Sequence, residues 1–202
     1  SPKKAGLDFD LAIYMLPLAD YVSSEGGLNL MSSTYRKYND SAIPTKAKAG
    51  GSYINSFLAT SDAQRNGYDD ALMFDDAGNV VEVSVANIIL VYRGQIIIPD
   101  TGNAALEGIT VRSALELLEY NGYKINRGKI DRSMVFTADE LLVTGTAMKI
   151  TYAESLDRRP IGQLDFNAKP EAGKFHKLLK SEYEKVINGE HELSSEWLFV
   201  VE

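Results

Sequence analysis

Pro44-Thr45-Lys46-Ala47-Lys48-Ala49-Gly50-Gly51-Ser52-Tyr53 places a lysine among small residues directly ahead of a helical apolar pattern. Ile54, Phe57 and Leu58 recur at helical spacing behind it, so Lys48 lies just outside a predicted helix N-terminus, whose dipole disfavours a neighbouring cation. The flanking Ala and Gly residues leave room for a carbonyl to reach the amine, as a Schiff-base lysine requires. Taken alone, the decapeptide reads equally as a solvent-facing lysine beside a Gly-Gly turn, which is where lysines usually sit.

Outward from this loop, the chain alternates strands and helices. Asp10 to Leu16, bounded by Pro17, and Leu28 to Ser33 read as strands. The lysine loop and its helix run to Asn66-Gly67, where the glycine is a C-terminal stop. Ala71 to Asp75, Val80 to Val85, Asn87 to Tyr92 and Gln95 to Ile98 then form a predicted meander, with tight turns at Asp76 to Asn79 and Arg93-Gly94. From Ile109 the period becomes helical, with Val111, Ala114, Leu115 and Leu118 on one face and Asn121-Gly122 at the end. Lys124 to Ile130, Glu140 to Thr144 and Lys149 to Ala153 read as strands, with a short helix over Thr137 to Glu140. A last helix spans about Glu171 to Asn188 (boundaries good to roughly 2–4 residues), striped by Phe175, Leu178, Leu179, Tyr183 and Val186, with Pro170 near its start. The expected fold class is α+β, or mixed α/β, with residues 1–202 as a single domain.

The totals narrow the function. A chain of 202 residues with 45% hydrophobic content can bury one substantial core. Its net charge of -7, with no basic block, gives no footprint for nucleic acid or an anionic membrane. Apolar runs such as Ile88 to Tyr92 are too short to span a bilayer, so a cytoplasmic location is expected. Absence of cysteine removes disulfides and thiolate metal sites. The only histidines, His176 and His191, sit among Lys and Glu and read as solvated side chains, so no metal site or Ser/His/Asp triad is predicted.

Three more segments have the composition of cofactor contacts. Glu107-Gly108-Ile109-Thr110 opens a helix, where free N–H groups suit a phosphate or simply an N-cap. Thr144-Gly145-Thr146-Ala147 ends an apolar strand and offers hydroxyl and backbone donors, or an ordinary strand-exit turn. Glu82, inside Val80-Val81-Glu82-Val83, faces water or the interior; facing inward, it needs a cationic or N–H partner.

Together these segments resemble the class IV (fold-type IV) pyridoxal-phosphate aminotransferases, and within them the branched-chain amino-acid aminotransferases. Lys48-Ala49-Gly50-Gly51-Ser52-Tyr53, Glu82 through Asn87, Leu106 through Thr110 and Thr144 through Ala147 carry the likeness, which covers Asp10 to Pro160. The resemblance implies the large cofactor-binding domain of that fold. It implies pyridoxal 5'-phosphate on Lys48 as a Schiff base, Lys48 also shuttling the substrate proton. Tyr53 would bond the phenolic oxygen, Glu82 the pyridine nitrogen, and Leu106 a ring face. Ile109, Thr110 and Thr146 would hold the phosphate, Thr146 and Ala147 the substrate carboxylate, with Arg36 a further phosphate-side candidate.

The implied reaction moves an amino group between a branched-chain L-amino acid and 2-oxoglutarate, in a homodimer. The alternatives are a D-amino-acid or amine aminotransferase, an aminodeoxychorismate lyase, or a catalytically incomplete fragment. Ala86 stands where some branched-chain members have a second glutamate. The family's small N-terminal domain has no counterpart, so an N-terminally truncated chain is expected, residues 1–9 being a remnant of the interdomain connection.

Overall fold

The computed structural model describes residues 6, 8, 10–17, 26–100, 102, 104–163 and 171–199, and the architecture below is that of these residues. In order they form β1 (Leu28–Arg36), α1 (Tyr53–Arg65), β2 (Asp70–Phe74), β3 (Val80–Val83), β4 (Asn87–Tyr92), β5 (Gln95–Pro99) and α2 (Ile109–Tyr120). Then come β6 (Ile125–Gly128), α3 (Arg132–Phe136), β7 (Glu140–Gly145), β8 (Lys149–Leu156), β9 (Arg159–Pro160), α4 (Lys174–Ile187) and α5 (Ser194–Trp197).

The strands join in the order β3-β2-β1-β8-β7-β4-β5-β6, with β9 added to β8. The sheet curls so that β3, at one edge, returns beside β4. Alternation along β4 shows why it lies centrally. Ile88 and Leu90 enter the core enclosed by the curl, with Leu30, Leu72, Val83, Leu141, Val143 and Leu156. Ile89 and Val91 face outward into a second core beneath α2 and α4, with Ala114, Leu117, Leu118, Phe175 and Leu179. A strand buried on both faces is a β-branched run rather than an alternating one, as Asn87 to Tyr92 is.

Several expectations are corrected. Asp10 to Leu16 forms no strand: Leu11, Ile13, Tyr14, Met15 and Leu16 are 74–95% exposed, without a described neighbouring strand to complete a ladder. β3 stops at Val83, because Ser84 to Ala86 bend and the Val83 N–H bonds back to the Ala86 carbonyl. That bend sends β4 to the other half of the sheet, so β2 to β5 are two antiparallel pairs and not one meander. The short helix lies at Arg132–Phe136, and Glu140 begins β7. The helix expected from Ile54, Phe57 and Leu58 is present as α1, with that stripe exposed; α1 packs on β1 and β2 through Ala59 and Ala63, whose small size allows close approach. Pro170 and most of residues 1–9 lie outside the described residues.

Neither histidine is solvated. His176 is buried against the Tyr152 ring, and burial holds its imidazole below the usual range. His191 Nε2 lies 3.2 Å from Glu182 Oε2. His176 lies on the face of α4 that packs on β8, whereas His191, past the end of α4, lies against the Tyr120 ring.

The start of α4 is held from the sheet. Glu140, buried at the first position of β7, accepts the N–H groups of Phe175 (2.9 Å) and His176 (3.0 Å), which an α-helix leaves without internal partners. A Cβ at Gly173 would collide with the Glu140 side chain, so the glycine is what lets the carboxylate reach. We predict that Glu140→Ala costs about 1–3 kcal/mol. In urea it should lower the unfolding midpoint with an unchanged m-value; an unchanged midpoint would show that the cap carries no stability.

Candidate active site

At one end of the curled sheet, four segments converge on a cavity of about 510 Å³, within the range of small-molecule sites. They are the loop from β1 to α1, the bend between β3 and β4, the approach to α2, and the turn from β7 to β8. Lys48, Tyr53, Glu82, Leu106, Ile109, Thr110, Thr146 and Ala147 all line it. Every site residue expected from sequence except Arg36 is therefore brought together. Arg36 instead lies over the Phe74 ring, 5.5 Å from its centre, and is not among the lining residues. On a strand, successive side chains take opposite faces, and here Lys37 enters the cavity.

The lysine loop is braced from both sides. Asp40 accepts the Thr45 N–H at 2.9 Å and its hydroxyl at 3.1 Å, burying Thr45. Lys46 Nζ donates to the Ala105 carbonyl at 3.0 Å, tying the loop to the segment that carries Leu106. After Lys48, Ser52 Oγ donates to the Ala49 carbonyl at 2.6 Å and closes the 3₁₀ turn Gly50–Ser52 that leads into α1. Lys48 itself is exposed at the wall of the cavity.

Glu82 takes the inward option. It is 5% exposed, and its Oε1 lies 2.6 Å from Lys37 Nζ, which is equally buried. Burial pushes the Glu82 carboxyl above its usual range, and the Lys37 ammonium opposes that rise. Its Oε2 accepts from Asn87 Nδ2 at 3.1 Å. A carboxylate offers about four lone-pair positions, so these two bonds leave it able to accept a third. Tyr53 feels the same field: its hydroxyl is raised first by burial, then by Glu82, with Lys37 acting in the opposite sense.

Gly108 is the N-cap residue of α2, in extended conformation, and the helix begins at Ile109 with Thr110 buried. The amides of Ile109 and Thr110 are first-turn donors without intrahelical acceptors. Across the cavity, Thr144 is 1% exposed, and its Oγ1 finds no partner among the described residues. A buried cavity hydroxyl of this kind is open to an ordered water or a polar ligand. Lys37 is the lining residue that sequence reasoning missed; Asn87 and Thr144 were legible only as ends of the Glu82 to Asn87 and Thr144 to Ala147 segments, with no role for either side chain.

An amine, a buried carboxylate, a tyrosine hydroxyl and a helix N-terminus around one cavity suit a small anionic ligand. The sequence profile of the amino-transferase class IV family matches residues 3–156, so the chain belongs to that family. It is 32% identical over 202 residues to a branched-chain-amino-acid aminotransferase of Pseudomonas aeruginosa, covering 98% of this chain and 64% of that protein. Among solved structures, the branched-chain aminotransferase of Thermoproteus uzoniensis with norvaline has a TM-score of 0.83 at 30% identity, over 91% of this chain and 59% of that one. The enzyme of Thermobaculum terrenum in its PLP-form has a TM-score of 0.82 at 29% identity, over 91% and 58%. The chain thus spans about three-fifths of the length of these relatives. Among the described residues, no helix is long and apolar enough to cross a membrane.

Proposed function

We propose that this chain carries the cofactor site of a pyridoxal 5'-phosphate-dependent transaminase acting between a branched-chain L-amino acid and 2-oxoglutarate. The convergence of Lys48, Tyr53, Glu82, the start of α2 and the Thr144 to Ala147 turn on one cavity supports this reading most strongly. The residues fit the group: an amine for its aldehyde, a carboxylate for its ring nitrogen, helix amides for its phosphate, and an orphaned Thr144 hydroxyl. When bound, the cofactor supplies an electron-accepting ring that carries the amino group between the two substrates.

Lys48 would hold the cofactor covalently and move the proton at the substrate α-carbon with its Nζ. Glu82 would hold negative charge against the ring nitrogen and Tyr53 would donate to the phenolic oxygen. Leu106 would pack on a ring face and exclude water. The amides of Ile109 and Thr110, with the Thr146 hydroxyl, would bind the phosphate, as helix N-termini do; Thr146 and Ala147 would orient the substrate carboxylate. A homodimer is the proposed assembly, supported by the exposed Ile54, Phe57 and Leu58 on α1.

Incubation with pyridoxal phosphate should give a saturable absorption band that borohydride abolishes. Turnover of the loaded protein with L-leucine and 2-oxoglutarate should exceed turnover with D-alanine, and light scattering should give two chains per particle. No band would refute the site; a band with D-alanine preferred would replace the substrate class, and a band with no turnover would leave a binding domain alone.

A further inference from the structure

Asn87 joins three parts of the cavity wall. It is the first residue of β4, just after the bend that ends β3. Its Nδ2 donates to the Leu106 carbonyl at 2.8 Å and to Glu82 Oε2 at 3.1 Å. Its Oδ1 accepts the Gly108 N–H at 3.1 Å. The orientation of the amide is fixed by these partners, since the reverse would set its oxygen against a carbonyl and a carboxylate, and its NH₂ against an N–H. Gly108 is fitted to the same group: a Cβ there would collide with Asn87 Oδ1.

The consequence falls on Glu82. Oε1 is engaged by Lys37, just past the end of β1, and Oε2 by Asn87, at the start of β4. Two fixed donors set the plane of the carboxylate, and so the direction of its remaining lone pairs. The same amide holds the Leu106 backbone and the residue from which α2 starts. One side chain therefore sets the spacing between the carboxylate, the apolar contact and the helix amides.

Resting on the reading of this cavity as a pyridoxal phosphate site, we propose that Asn87 is a positioning residue that aims Glu82 at the cofactor's ring nitrogen. The competing role is purely structural: Asn87 would merely tether the Leu106 to Gly108 segment, with no bearing on the ring. The two roles differ in one readout, which is whether affinity depends on the ring nitrogen.

The test compares pyridoxal 5'-phosphate with 1-deazapyridoxal 5'-phosphate, which has a C–H where the ring nitrogen stands, by equilibrium titration of the full chain. The unaltered protein should bind the nitrogen-bearing ligand more tightly. Asn87→Leu, close in volume, should weaken pyridoxal phosphate about tenfold, the scale of a lost hydrogen bond to a charged group. It should leave the deaza ligand within a factor of about two, because a bond worth tenfold to one ligand has no counterpart in the other. Asn87→Ser, too short to reach both Glu82 and Leu106, is read the same way should the leucine variant fail to fold. Equal weakening of both ligands would overturn the proposal and leave a tether, as would equal binding of both by the unaltered protein. Binding of neither ligand by the unaltered protein would instead remove the cofactor reading, and this inference with it.

Discussion

Borohydride treatment of the pyridoxal phosphate-loaded chain should fix the label on Lys48, and Lys48→Ala should neither retain the label nor turn over at better than about a thousandth of the starting rate. The expectation rests on position. Lys48 lines the cavity with its side chain exposed, whereas Lys46 is spent on the Ala105 carbonyl and Lys37 is buried against Glu82. Because Lys48 is exposed, its loss should change stability by no more than about 0.5 kcal/mol. Lys46→Ala is the matching control and should keep the label. Peptide mapping decides the matter: label on Lys37 in the unaltered protein would reassign the reactive amine.

Breaking the Lys37–Glu82 pair should have the largest effect on the fold. Glu82→Ala leaves an ammonium buried without its carboxylate, and loss of one partner of a buried pair costs about 3–5 kcal/mol. Lys37→Met/Glu82→Leu, which removes both charges and fills the space, should recover most of that loss. It should not recover binding of pyridoxal phosphate, so the pair separates stability from function. Denaturant midpoints and cofactor titrations of the two variants and the unaltered chain measure both quantities. A double variant as unstable as Glu82→Ala would show that the pair is not what the single change breaks.

The pH dependence of Lys37→Met follows in sign from the same site. Burial already raises the Glu82 carboxyl, and removing the opposing ammonium raises it further. A carboxyl raised in the folded state binds its proton more tightly there than in the unfolded chain. Its contribution is therefore fully present below the unfolded value and is lost as pH rises through the folded one. Lys37→Met should accordingly lose stability from acid toward neutral pH relative to the unaltered chain. A difference between the two that does not change with pH would refute this account of Glu82.

Much of this was legible in residue order because it is local. β4 announces itself as a short β-branched run, and α2 by its apolar period and the Asn121-Gly122 stop. The lysine loop, the Glu82 segment, the α2 opening and the Thr144 to Ala147 turn each carry composition that survives without the fold. Illegible were the partners. Lys37 precedes the lysine loop with no pattern of its own, and the neighbouring Arg36 was the more attractive phosphate candidate until strand alternation sent it to Phe74. The α1 stripe announced a helix but not its packed face, because an apolar pattern says that a face can be buried, not that it is; Ala59 and Ala63 allow the closer approach to the sheet.

The sequence by itself determined the chemical parts: an amine in a small-residue loop, a carboxylate in an apolar strand, and helix amides at Ile109 and Thr110, in an order that resembles the class IV aminotransferases. These follow from short-range spacing, which the chain carries wherever it folds. The tertiary structure decided which way Glu82 faces and what holds it there. Lys37, Asn87, Leu106 and Gly108 meet only because the bend after β3 throws β4 across the sheet and brings its first residue against the start of α2. That juxtaposition depends on strand order, to which residues far apart in the chain contribute together.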